Sequence, residues 1–345
     1  MITLRDAEAK KDMQITALVD SAEARAYGEK KDKYMLSLVV VMPGGQKIGA
    51  VHWNVEPDKA NGMAGRVITA MATVGTYKES LQLTLNGIKY SKIEDVSNYA
   101  KRSVRDPLDA VGDIIGRTSH IVDGYLRGIV QKFVHDKSFE KFAQYPAGTS
   151  WHHSRVGGLA EHTLQVVTTS LQLVDEFAHL NPAPNRDLVL AGAILHDVGK
   201  LRELTPFPFQ YTDEGCLLGH QLLGVQMIAD RAGVPTNPTE RLKYLHLLHI
   251  VAASHDTFGQ SPVVAKTVEA MIVHQADLAS SRTDGIIMEV QKGLEQDPGA
   301  TCLGWSNKLA RKPFVTPDFP ADQSPKENRD VPASASTAED DSLPY

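Results

Sequence analysis

The chain has 345 residues, 42% of them apolar and 23% charged, with a formal net charge of −6. That length holds two domains with cores of ordinary size, and two lone cysteines, Cys216 and Cys302, exclude a disulfide framework and a thiolate zinc site. The acidic balance argues against bulk electrostatic capture of nucleic acid, while leaving room for a local basic groove. The first residues, Met1 to Asp6, turn charged at once, and the longest apolar stretch, Leu188 to Leu195, is too short to span a bilayer. A soluble protein of a reducing cytoplasm, with no membrane partner, is expected.

Residues 13 to about 92 read as strands and turns. The β-branched run Met35 to Val41 ends at the turn signal Pro43-Gly44-Gly45, and Gln46 to Trp53 alternates as the return strand. Val67 to Tyr77 and Leu81 to Leu85 continue the pattern. Several short strands in so few residues predict a small closed barrel of the OB type, which holds single strands by a basic groove and aromatic stacking. Lys30, Lys31, Lys33, Tyr34, His52, Trp53 and Tyr77 are the candidates for that surface.

From about residue 105 the period becomes helical. Ile121, Val122, Tyr125, Leu126, Ile129, Val130, Phe133 and Val134 recur at three- and four-residue steps, and helices follow at roughly 157–179, 186–197, 217–231, 239–255 and 267–282. The predicted fold is α+β and multidomain: an OB-like β-barrel over 1–95, a linker and leading helices over 96–145, an all-α bundle over 146–317, and a disordered acidic tail over 318–345.

One apolar helix delivers a His-Asp pair, His196-Asp197, just before Gly199, a residue able to end it. Burying both groups is costly unless something pairs with them, and a divalent metal does so well. His162, His220, His255 and Asp277 fall on the inner stripes of other helices, so that all could converge in one bundle interior. His120, His135 and His179 read as ordinary core or surface histidines, and His246, His249 and His274 lie near the stripe without a motif.

The order His162, His196-Asp197, Asp277 resembles the HD superfamily of metal-dependent phosphohydrolases. Tyr145 to Thr163, Ala191 to Lys200 and Gly219-His220, behind an OB-type domain, resemble the YhaM-type 3′-5′ exoribonucleases. Two segments depart from that pattern: Ser254-His255-Asp256 carries Asp256 where the family has a second His, and Gln275 to Ser281 lacks the further acidic residue that often follows the ligand Asp. The resemblance implies a first metal on His162, His196, Asp197 and Asp277, and a second shared through Asp197 with His220 and His255. It favours manganese, with cobalt, iron, nickel or magnesium as alternatives and one or two ions. Asp197 and Lys200 become the catalytic candidates, Lys200 facing the charge on phosphate, and His152, His153 and Arg155 the phosphate contacts.

The implied activity is 3′-5′ hydrolysis of single-stranded RNA, or DNA, to nucleoside monophosphates. A hydrolase of small or cyclic nucleotides, and a nucleic-acid-binding protein with an impaired HD site, are the alternatives. A homo-oligomer is left open.

Overall fold

The structure, a computed structural model, describes residues 2, 10–28, 33–77, 80–92, 96–255, 261–296 and 299–315. Lys30, Lys31, Asp256 and the tail expected over 318–345 lie outside them.

The first five strands are β1 (Asp12–Tyr27), β2 (Lys33–Val41), β3 (Lys47–Trp53), β4 (Val67–Tyr77) and β5 (Ser80–Tyr90), closed in the order β1-β2-β3-β5-β4. Every pairing is antiparallel except β3 with β5, where Gly49 to Val51 lie parallel to Gln82 to Thr84. This is the OB-like barrel. Its core follows a strict period of two: Ile15, Ala17 and Val19; Leu36, Leu38 and Val40; Ile48 and Ala50; Ile68, Ala70, Ala72 and Val74; Leu83 and Leu85. β1 is long enough to serve two neighbours, its first half pairing with β4 and its second with β2, across a register shift between Val19 and Ser21.

The connector to the helical region is docked. Gly44 and Gly45 both hold positive φ in the β2–β3 turn, and Gly44 N–H donates to Asn98 O at 2.9 Å. A Cβ on Gly45 would lie 2.6 Å from the Lys101 backbone nitrogen, so only glycine permits this approach. Tyr99 buries against Leu18, Val41 and Val67, with Phe207 packed beside them.

The helices are α1 (Pro107–Arg117), α2 (Gly124–Val134), α3 (Gly158–Phe177), α4 (Arg186–Leu195), α5 (Lys200–Glu203), α6 (Asp213–Ala232), α7 (Pro238–Ala252) and α8 (Val268–Gln296). Every residue of α4 from Leu188 to Leu195 is buried, as a helix surrounded on all sides must be. Gly192 lets α7 come close, since a Cβ there would lie 2.6 Å from Ile250 Cγ2. α1 and α2 contribute Ala110, Val111, Ile114, Leu126, Ile129 and Phe133 to the same core. Val122, expected on the α2 stripe, is instead 83% exposed, because it precedes the helix, which Asp123 caps by accepting from Leu126 N–H. α8 runs well past the predicted end at 282.

The chain divides into two compact units, Met1–Glu289 and Val290–Tyr345. The second is, among its described residues, the end of α8 and a short stretch with isolated bridges Cys302↔Phe314 and Ser306↔Arg311. Among the described residues no helix is long and apolar enough to cross a membrane.

Candidate metal centre

α3 begins at a glycine pair. Gly157 is left-handed at φ 79°, and a Cβ on Gly158 would overlap the His153 carbonyl, lying 2.9 Å from its carbon. The loop before the helix therefore packs tightly under its first turn. One turn on, His162 is fully buried.

α4 stops at Leu195. His196 to Gly199 form a turn, and α5 starts at Lys200. Gly199 corrects its expected role as a helix terminator: its φ of −64° is right-handed, so no left-handed cap is formed. It is needed for close approach, because a Cβ there would overlap the His220 carbonyl oxygen and lie 2.6 Å from Gly224 N. α6 is likewise not the continuous helix expected over 217–231. The backbone breaks at Gly219 (φ 71°, ψ 159°), and His220 restarts the helix. Its N–H and its Nδ1–H both donate to Glu203 Oε1 at 3.0 Å.

His255 lies beyond the end of α7, in a turn after Ala252. Tyr244, Leu247, Ile250 and Val251 form the buried face of α7, and Leu245 is 47% exposed. The turn, not the helix face, brings His255 inward.

The geometry has two halves. His162 Nε2 lies 3.3 Å from His196 Nε2, 3.2 Å from Asp197 Oδ2 and 3.2 Å from Asp277 Oδ1. His220 Nε2 lies 3.1 Å from His255 Nε2 and 3.6 Å from Asp197 Oδ1, and His255 Nδ1 is 3.2 Å from Asp277 Oδ2. Each carboxylate thus turns one oxygen to each histidine pair. His196 Nδ1–H donates to Ala193 O at 2.8 Å, so Nε2 carries the lone pair; the Glu203 bond does the same for His220. Lone-pair nitrogens aimed at one another across buried carboxylates suit a cation between them. The donor set fits divalent metal.

Charge at the centre follows from burial and partners. Burial alone would raise the Asp197 and Asp277 carboxyls. For Asp197 the Lys200 ammonium, 2.7 Å away, and the His196 and His162 imidazoles hold it well below the usual carboxylate range. For Asp277 the His162 and His255 imidazoles beside it do so. Lys200 is itself buried, with burial opposing its charge and Asp197 and Asp277 sustaining it. It is the first residue of α5, not a solvated helix C-terminus.

His153 and Arg155, expected as phosphate contacts, are engaged by groups of the protein itself. His153 is fully buried, its backbone N–H donating to Asp284 and its Nε2 lying 3.2 Å from Gln165 Oε1. Arg155 gives its guanidinium to Asp284 Oδ1 at 2.7 Å and to Glu161 at 2.9 Å. Both serve to dock the loop on α3 and α8. Trp151 joins them, since a Cβ on Gly285 would meet its ring at 2.7 Å. His152 stays beside the centre, its ring 5.6 Å from that of His162, and burial pushes it down to about 3.

Four residues that the sequence reading missed complete the support: Glu203 behind His220, Ser280 behind His162, Gln165 behind Ser280, and Asp284 behind Arg155. A signal existed for two of them. Ser280 and Asp284 repeat at three- and four-residue steps from Asp277 and share its face of α8. On the barrel, Lys33 is exposed at the start of β2, Tyr34 is half-buried beside it, and Tyr77 is exposed. Trp53, 42% exposed, meets Tyr27 edge to face at 4.9 Å. His52 spends its Nδ1–H on Leu85 O at 2.7 Å.

The HD domain family matches residues 159–281. The 3′-5′ exoribonuclease YhaM of Listeria monocytogenes serotype 4b is 32% identical over 262 residues, covering 71% of this chain and 78% of that protein. Two solved structures match in part. The crystal structure of an SSB domain from Synechococcus sp. is 16% identical, covering 22% of this chain and 91% of its own, with a TM-score of 0.20. The solution structure of the second OB-fold domain of replication protein A from Methanococcus maripaludis is 18% identical, covering 25% and 89%, with a TM-score of 0.21. On the identity and coverage of the Listeria relative and on its HD domain, this chain belongs to the YhaM family of HD-superfamily, metal-dependent phosphohydrolases.

Proposed function

We propose that the chain is a 3′-5′ exonuclease that hydrolyses single-stranded RNA to nucleoside monophosphates, with the barrel feeding the strand to the helical centre. The observation that carries it is the paired geometry of the centre: two carboxylates, Asp197 and Asp277, each shared between two histidine pairs.

In this reading His162, His196, Asp197 and Asp277 would hold one ion, and His220 and His255, with the same two carboxylates, a second. Such ions, manganese in this reading, would supply Lewis acidity at neutral pH. The chain's own groups do the rest. Lys200 keeps Asp197 ionised and sets a positive charge beside the phosphate. His152, neutral because it is buried, offers a hydrogen bond without adding charge. Lys33, Tyr34 and Trp53 offer the barrel's charge and stacking surface. The two cysteines, both unpaired and exposed, suit a cytoplasmic protein.

The test is an end-labelled assay with Mn2+ on RNA, DNA and small nucleotides. Stepwise shortening from the 3′ end with monophosphate release is expected, and Asp197→Ala should lose metal content and activity together. Cleavage of small nucleotides with intact RNA would replace the exonuclease reading.

A further inference from the structure

The three buried histidines of the centre are backed differently. His196 gives its Nδ1 proton to a backbone carbonyl and His220 to the carboxylate of Glu203. Neither acceptor can donate, so neither ring has a choice of tautomer. His162 is backed by a hydroxyl, which can turn.

The bonds around that hydroxyl set a direction. Ser280 Oγ donates its single proton to Gln165 Oε1 at 2.7 Å, so toward His162 Nδ1, 2.9 Å away, it accepts. The same Gln165 oxygen lies 3.2 Å from His153 Nε2, which donates to it. With the amide oxygen on that side, Ser280 accepts from His162 Nδ1–H. Nε2 is then the nitrogen that faces the space shared with His196, Asp197 and Asp277 and would hold a cation there.

Reversing the chain of bonds changes the centre. With the Gln165 amide turned over, its nitrogen would donate to Ser280 and the hydroxyl would donate to Nδ1. The His162 proton would then sit on Nε2, within 3.2 Å of both Asp197 Oδ2 and Asp277 Oδ1. Those carboxylates would be tied by hydrogen bonds and the cavity closed to a cation.

We propose that Ser280, backed by Gln165, is a positioning residue that holds His162 in its Nδ1–H tautomer and so sets the affinity of the centre for a divalent cation. This rests on the metal-centre reading above, and the two are separable. The full-length chain is labelled with 15N in its histidine rings, and the His162 signals are assigned by difference with His162→Asn. Ring spectra are recorded without metal, and Mn2+ binding is followed by calorimetry.

The wild type should show a protected His162 Nδ1–H. Ser280→Ala should lose it and weaken Mn2+ binding by about 10–100-fold, the range for partners that orient a ligand histidine. Ser280→Thr, which keeps the hydroxyl, should restore both. Where Ser280→Ala does not fold, Gln165→Met, which removes the acceptor, should show the same losses. A His162 proton found only on Nε2 in the wild type, or Mn2+ affinity unchanged in Ser280→Ala, overturns the proposal. If the wild type binds no Mn2+, the metal-centre reading fails, while the Nδ1–H signal and its fate in Ser280→Ala still decide the tautomer assignment.

Discussion

Gly199→Ala isolates a steric demand at the heart of the centre. The backbone at Gly199 is right-handed, so alanine is conformationally acceptable and would by itself stabilise by about 0.4–1 kcal/mol through the unfolded chain. Against this, its Cβ would overlap the His220 carbonyl oxygen and lie 2.6 Å from Gly224 N and 2.8 Å from the His220 carbon. Backbone cannot yield as a flexible side chain does, so α5 and α6 must part. Overpacking of this kind costs roughly 1–3 kcal/mol, so the net effect runs from near zero to a loss of about 2.6 kcal/mol and centres on about 1.3 kcal/mol. For a domain of this size that central loss lowers Tm by about 3–5 °C. The displacement falls on His220, so its bond to Glu203 and its approach to Asp197 should loosen while His162 and His196 stay in place. Urea unfolding and Mn2+ calorimetry on the same variant read both effects: a lower midpoint, and one of two binding events weakened. An unchanged midpoint with both events intact would refute the argument that α5 and α6 touch here through glycine.

Two further outcomes are expected. Arg155→Ala strands Asp284 and Glu161, and breaking this half-buried network should lower stability by about 1.5–3 kcal/mol in urea, with KM for a small phosphodiester little changed. A raised KM with full stability would return Arg155 to the phosphate. His152 is held neutral, its ordinary 6.5 pushed down to about 3, so the unfolded chain binds a proton there that the native one refuses. Its stabilising effect is complete above pH 6.5 and is lost as pH falls toward 3, at up to about 1.4 kcal/mol per pH unit. In metal-free protein, His152→Asn should flatten the loss between pH 7 and pH 5 by roughly 2 kcal/mol, and an unchanged slope would contradict it.

Much of this architecture is written locally. Strands β2 to β5 declare themselves because one face of each is buried in the barrel, which imposes alternation on the sequence. The later half of β1 does not, since Ser21 to Tyr27 carries no buried residue and its register comes from β2. The histidines were visible because apolar helices surround them, and His196-Asp197 because it follows an unbroken run of buried apolar residues that ends at Leu195. The features that stayed hidden depend on distant partners. The Arg155 guanidinium is bound by Asp284, 129 residues away, a partner that nothing near Arg155 announces. Gly199 looks like a terminator until His220 is brought against it. The kink at Gly219 follows from Glu203 binding the His220 N–H, which no periodicity in α6 announces.

One face of α8 works like a comb. His274 donates to the Ser254 carbonyl, Asp277 faces both histidine pairs, Ser280 backs His162, and Asp284 holds Arg155 and the His153 backbone. These teeth engage segments from quite different parts of the chain, and each inserted residue rotates the rest of the helix by about 100°. Insertions or deletions between 274 and 284 would disengage several at once, whereas substitutions on the opposite face disturb none. Among descendants of this sequence, length change should therefore be barred from that stretch of helix even where its outward residues vary freely.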